Sequence, residues 1–257
     1  MAVVVAYKYA ANPQDATVRE DGHIDWSRAK KAVSEYDPVA IQVGRDLADE
    51  LGDELVGISV GPVDIAASSA KKNAMSKGFD RGLILADDAT AKWNATTVAY
   101  ALAEVLRKIE NVELLLTGDA SVDEGARLMP ALVAAHMGWP CFEEVSKVEK
   151  QGKKYILTQM LPGGVTRTIE VEGPLAVGVT SDAVTPKVAS MKEILAAAKK
   201  PVEVITLADV SVPTGSEPRV TDYLVPEKAS RKGTMLEGTP ESIAQQLVDA
   251  LKSDGVL

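Results

Sequence analysis

Cysteine and histidine are nearly missing from these 257 residues: Cys141 stands alone, and His23 and His136 are far apart. A single thiol excludes an internal disulfide and any thiolate-rich cluster held by this chain alone. Two distant imidazoles make a His-rich metal site improbable. Aromatic side chains supply 4% of the sequence, so a core must be built from Val, Ile, Leu and Ala. That composition suits parallel strands covered on both faces by Ala-rich helices. Cations are outnumbered, 28 Lys and Arg against 37 Asp and Glu for a formal charge of -9. This excludes a nucleic-acid backbone or an anionic membrane surface as principal partner, because both select clustered positive charge. No apolar run reaches about 18 residues, and the short one over residues 1–7 has no basic segment before it, so no integral membrane segment is expected and the chain reads as cytoplasmic.

Catalytic signatures are also lacking. There is no G-x-G-x-x-G fingerprint and no P-loop lysine, which removes the commonest dinucleotide and Walker-type readings. Cys141 follows Trp139-Pro140 and reads as a structural thiol. The acid pairs Glu143-Glu144 and Asp87-Asp88 read as solvated turn residues.

What is present is alternation. Short β-branched runs at 3–7, 55–60, 82–86 and 113–117 are separated by helical-period segments at 38–51, 64–76, 94–109 and 124–137. This is the pattern of successive βαβ units, with Asp64 and Asn94 placed to cap. After Pro140 an alternating hairpin, 145–150 and 154–160 around Gln151-Gly152, is expected to leave the parallel sheet as a small antiparallel appendage. A strand at 175–180 returns to the core and a helix at 191–199 ends before Pro201. The fold class is therefore α/β, a mostly parallel sheet with helices on both faces, a hairpin appendage and a C-terminal arm. The body is expected to span 1–210 as a nucleotide-binding domain. Residues 211–257 read as an extended arm, with Pro213, Gly215, Pro218, Pro226 and Gly233, and a short helix at 241–251 whose Ile243, Leu247 and Leu251 share one face.

Ligands of open parallel sheets bind outside the carboxyl ends of the strands. Three segments lie there: Lys8-Tyr9-Ala10-Ala11-Asn12-Pro13, Gly61-Pro62, and the run Thr117-Gly118-Asp119-Ala120-Ser121-Val122-Asp123-Glu124-Gly125-Ala126-Arg127. The last leads from a strand through small residues to an expected helix start, where backbone N–H groups hold phosphate. Read plainly, it is a βα loop in which Ser121 or Asp123 caps the helix. The residues alone thus give an α/β nucleotide binder with no reaction attached. A stand-alone adenine-nucleotide-binding enzyme and a nucleotide-sensing regulatory module both remain open, although the S-G-G-x-D-S and H-x-G-H signatures of adenylating enzymes are missing.

Several stretches taken in order and spacing resemble the beta subunit of electron-transfer flavoproteins, in particular the Fix and carnitine-type branch. They are Val5-Ala6-Tyr7-Lys8, Ser34-Glu35-Tyr36-Asp37, Ser59-Val60-Gly61-Pro62, Lys77-Gly78-Phe79-Asp80-Arg81-Gly82, Leu116 through Asp123, Gly138-Trp139-Pro140 and Ala189 through Pro201. The resemblance implies a fold like that of the adenine-nucleotide alpha-hydrolases. It implies an electron-carrier subunit rather than a self-sufficient enzyme, and a partner alpha subunit that makes most contacts to a shared FAD. It also implies AMP or a second FAD in this chain's own cleft, the second FAD marking bifurcating members. Carried over by motif, the cofactor-binding candidates are Ala6, Ser34, Glu35, Tyr36, Asp37, Val60, Gly118, Asp119, Ala120, Ser121, Val122, Asp123, Glu124, Gly125, Ala126, Arg127, Leu128 and Met129. An Asn-Gln-Thr-Gly run of better-known members is replaced here by Arg127-Leu128-Met129-Pro130, and Arg127 offers a charge of its own. Residues 187–195 resemble the family's recognition loop, with Met191 as the apolar anchor toward an acyl-CoA dehydrogenase-like flavoenzyme. Met160 stands ahead of Gly163-Gly164 where relatives carry a Glu. The C-terminal arm and helix are expected to pack on the partner subunit.

Overall fold

A computed structural model describes residues 2–213, 221, 224–226 and 233–257. The chain divides into two units, one ending at residue 223 and the other spanning Leu224–Leu257.

In the first unit, β1 (Ala2–Ala6) is followed by two short antiparallel ribbons. In these, β2 (Tyr9–Ala11) pairs with β5 (Lys31–Val33) and β3 (Thr17–Val18) with β4 (Ile24–Asp25). Then α1 (Asp37–Leu51), β6 (Glu54–Gly61), α2 (Ser68–Met75), β7 (Arg81–Ala86), α3 (Ala95–Arg107), β8 (Val112–Gly118) and α4 (Met129–Met137) alternate. Next come β9 (Cys141–Gln151), β10 (Lys154–Leu161), β11 (Val165–Glu172) and β12 (Leu175–Val179), and finally α5 (Met191–Ala197) and β13 (Val202–Ile205). Nine strands form one sheet in the order β11-β10-β9-β12-β8-β1-β6-β7-β13. Pairing is parallel from β9 through β13 and antiparallel across β9, β10 and β11.

The apolar runs explain the layering. Every residue of β1, AVVVA, and of β12, LAVGV, is buried, as central strands covered on both faces require. Because side chains alternate across a strand, Val3 and Val5 join Ile41 and Leu47 of α1 and Met75 of α2 in one core. Val4 joins Leu102 and Leu106 of α3 and Val133 of α4 in the other. Phe79 is fully buried, its ring centroid 5.4 Å from that of Tyr7. Helix starts follow the capping signals: Asn94 Oδ1 accepts the Thr97 N–H at 3.0 Å. Ser190 and Glu193 form a reciprocal capping box at α5.

Five expectations need correction. The segment 64–76 is a short 3-10 turn, Val63–Ala66, and then α2, broken because Ala67 is extended at ψ 148°. Asp64 therefore caps nothing in α2 and instead pairs with Lys31. The helix expected from residue 124 begins only at Met129, since Gly125 and Arg127 adopt left-handed φ values of 60° and 54° that an α-helix cannot contain. The hairpin does not leave the parallel sheet. β9 starts as a parallel neighbour of β12 and turns the same sheet antiparallel, and the alternating β11 extends it by a further strand. Last, β13 adds a parallel edge strand beside β7 over residues to which the sequence pattern assigned no element.

The second unit contains α6 (Pro240–Ser253), capped by the Thr239 hydroxyl, which accepts the Ser242 N–H at 3.3 Å. No residue of α6 is buried, and Leu247 and Val248 are exposed. Much of the arm expected over 211–237, including Gly215 and Pro218, lies outside the described residues. Among the described residues, no helix is long and apolar enough to cross a membrane.

Candidate functional site

The sheet order fixes where a ligand can enter. From β1 the chain moves outward through α1 to β6 and β7, then crosses back through α3 to β8 on the opposite side of β1. The connections leaving β1 and β8 thus diverge, and the crevice at a switch point of this kind is the general ligand position in open α/β sheets. Ala6 ends β1 and Gly118 ends β8; Val60, near the end of β6, lies one strand further over.

Asp37 sits in the middle of this junction. It is the first residue of α1 and is buried, 5% exposed. Its Oδ2 accepts the Lys8 N–H at 2.7 Å, and the Gly118 N–H donates to the same carboxyl group. Burial pushes the Asp37 pKa up to about 7, against the lowering effect of those N–H donors and of the Lys8 charge. The neighbouring Ser34 is also buried; its N–H donates to Lys8 O at 2.8 Å and its hydroxyl accepts the Val122 N–H at 3.1 Å. Residues 34–37 therefore join the loop after β1 to the loop after β8. Burial and the Asp37 charge raise the pKa of the Tyr7 phenol.

Gly118 is glycine for packing reasons. A Cβ there would lie 2.7 Å from Asp37 Oδ1 and 2.9 Å from Tyr36 C, so its small size admits the start of α1 rather than leaving a vacant cradle. Ser121 and Asp123 do not cap α4, whose N-cap is Leu128 with no side-chain bond. They instead turn the loop locally, with Asp123 Oδ1 accepting the Glu124 N–H at 3.0 Å.

The loop is tied down by charge. Lys8 Nζ lies 2.8 Å from Asp123 Oδ2 and 3.4 Å from Glu124 Oε1. Burial raises the Asp123 pKa, but its bond to Lys8 and the Lys8 charge outweigh this and hold it below the usual carboxylate range. Arg127 turns away from β1: its guanidinium meets Asp119 at 3.0 Å and Glu144 at 3.2 Å. With Pro130, Glu143 and Gly178 these residues line a small cleft of about 50 Å³. Burial and the charges of Glu144 and Asp119 raise the Glu143 pKa.

The structure thus brings together Ala6, Ser34, Tyr36, Asp37, Gly118 and the loop from Asp119 to Glu124, with Val60 beside them. Glu35 is exposed on the corner, and Gly125 through Leu128 extend away as an exposed run to Met129. Lys8 joins the site although its own sequence signal is weak; its place directly after the first strand is the clue, and its partners 115 and more residues on are invisible in sequence. Met191 lies outside this set, at the capped start of α5, and is 75% exposed, with Val188 and Leu195 exposed as well. Cys141 is half-buried and its thiol is pushed up to about 11 by burial and then by Glu143. A cavity of about 430 Å³ lies at the opposite, amino end of the strands, lined by Ala2, Glu54 and Arg81 among others. No cluster of three or more metal-ligating side chains occurs among the described residues. A family model described as the electron transfer flavoprotein domain matches residues 22–210.

Proposed function

Because the chain belongs to the electron transfer flavoprotein domain family, we propose that it is the beta-type subunit of a heterodimeric electron-transfer flavoprotein. In this reading it binds an adenine nucleotide, AMP or a second FAD, in the crevice between β1 and β8. A partner alpha subunit carries most of the contacts to the redox-active FAD. The observation that supports the nucleotide reading is the convergence of residues 6–8, 34–37 and 118–124 at the switch point of the sheet.

Flavin bound to the complex supplies the electron chemistry. This chain's contribution is to bind and orient. The small residues Ala6 and Ala120 keep side-chain bulk away from the strand ends, so main-chain groups are the natural contacts for adenine and ribose. Lys8 and Arg127 are the cations nearest the loop, and both are engaged by carboxylates. A phosphate bound there exchanges with a carboxylate, a cost that favours recognition through N–H groups over a cation clamp. The exposed apolar trio Val188, Met191 and Leu195 at the rigidly capped start of α5 supports docking of an acyl-CoA dehydrogenase-like flavoenzyme at that face. The unburied α6 likewise suits a partner surface.

Expressing the full chain alone and together with an alpha-type subunit tests the assignment. A one-to-one complex that is yellow, with little flavin on the isolated chain, is expected. Stoichiometric flavin on a chain that ignores the alpha subunit would overturn it.

A further inference from the structure

Asp37 is acidic, buried and surrounded by N–H donors, which is unusual for a residue at the rim of a site meant for an anionic ligand. Its carboxyl group touches the two backbone segments that part at the switch point, through the N–H of Lys8 at 2.7 Å and that of Gly118. The Lys8 ammonium and Ser34 tie the same two segments further out, at Asp123, Glu124 and Val122. Gly118 leaves no room for slack, because its α-carbon face is closed by Asp37 and Tyr36. We propose that Asp37 is a positioning residue: by holding the Lys8 and Gly118 N–H groups together it sets the aperture of the crevice, and through it the affinity for an adenine nucleotide. This rests on the nucleotide site proposed above, but assigns Asp37 to the protein's own main chain rather than to the ligand.

The chemistry of the carboxyl group makes the role readable. Ionised, it offers both oxygens to the two donors; protonated, one oxygen carries a hydrogen that faces an N–H, and one of the two links is lost. The charged groups facing it are Lys8 beyond β1 and Asp123 in the loop after β8, with the Tyr7 phenol adjacent. Lys8 favours the ionised form, whereas Asp123 and burial oppose it. Burial dominates, so the proton is taken up near neutral pH, at about 7. If only the ionised form holds the crevice, affinity falls about tenfold between about pH 8 and about pH 6. Stability moves the other way. A carboxyl whose folded pKa is raised above its unfolded value stabilises the fold at low pH, and that contribution is lost as pH rises through the folded pKa. A residue that merely supported the fold would make affinity and stability change together.

The test is calorimetric titration of AMP into the full chain, freed of endogenous nucleotide, from about pH 6 to about pH 8, for wild type and Asp37→Asn. The phosphate of AMP itself titrates near pH 6, so the difference between the two proteins is what is read. Wild type should lose affinity on acidification while its melting temperature, relative to the variant, rises. Asp37→Asn, which cannot accept both N–H groups, should bind weakly with no extra pH dependence. Equal affinity and equal pH profiles overturn the positioning role while leaving the nucleotide site standing; binding of neither AMP nor, in a parallel titration, FAD by wild type at any pH overturns both. Should the variant fail to fold, the Lys8 and Gly118 amide resonances of wild type decide the matter. A shared titration near neutrality supports the link, and two pH-insensitive amides overturn it.

Discussion

Gly118→Ala is the smallest change that tests how closely the crevice is built. A Cβ at this position would sit 2.7 Å from Asp37 Oδ1, 2.9 Å from the carbonyl carbon of Tyr36 and 3.0 Å from the amide nitrogen of Asp37. Two of these are main-chain atoms at the start of α1, and they cannot rotate away. Ile41 and Leu47 of the same helix are buried against the sheet, so relief requires shifting the helix or the end of β8. Overpacking of this kind costs about 2 kcal/mol, which lowers Tm by about 4–8 °C for a protein of this size. The displaced group is the one that joins the two loops, so the variant should also lose adenine nucleotide on desalting. Scanning calorimetry and nucleotide analysis of the same preparation read both effects. A variant that melts with the wild type and keeps its nucleotide refutes the close approach.

Met191→Ala should leave Tm and the flavin spectrum unchanged, because the side chain is 75% exposed, where a core methionine would cost about 2–5 kcal/mol. Electron exchange with a cognate dehydrogenase should weaken by about thirtyfold in complex affinity, the usual loss of an apolar anchor; early melting with normal exchange would put Met191 in the core. At position 127 the backbone decides: with φ at 54°, Arg127→Gly should be more stable than Arg127→Ala by about 1 kcal/mol. The two ion pairs lost in both variants involve an arginine side chain 57% exposed and contribute little. Equal melting of the two variants would show that the conformation carries no cost.

The central parallel strands were legible because burial on both faces demands uninterrupted runs such as Val3-Val4-Val5 and Leu114-Leu115-Leu116, and few other elements produce them. Asn94 was legible as a cap because its side-chain bond is local. The start of α4 was not, since a left-handed φ at Arg127, a residue type that rarely adopts it, leaves no mark in the sequence. β11 did carry a signal, Ile169 and Val171 alternating with Glu170 and Glu172, but an edge strand exposed along one side reads much like a polar turn region. The site divides in the same way. The loop after β8 stands out by its small residues, whereas the link from Ser34 to Val122 spans 88 positions and that from Lys8 to Asp37 spans 29. Such contacts follow from the switch in strand order, which no local pattern encodes.

Nucleotide identification tests the central claim most directly. The complex of this chain with its alpha subunit, purified without added nucleotide, is denatured in acid and the released cofactors are separated and quantified. One adenine nucleotide per copy of this chain, AMP or FAD, is expected beyond the flavin held by the alpha subunit, and Gly118→Ala should reduce that fraction selectively. A complex that releases a single FAD and nothing else, from a wild-type preparation that transfers electrons normally, would contradict the account.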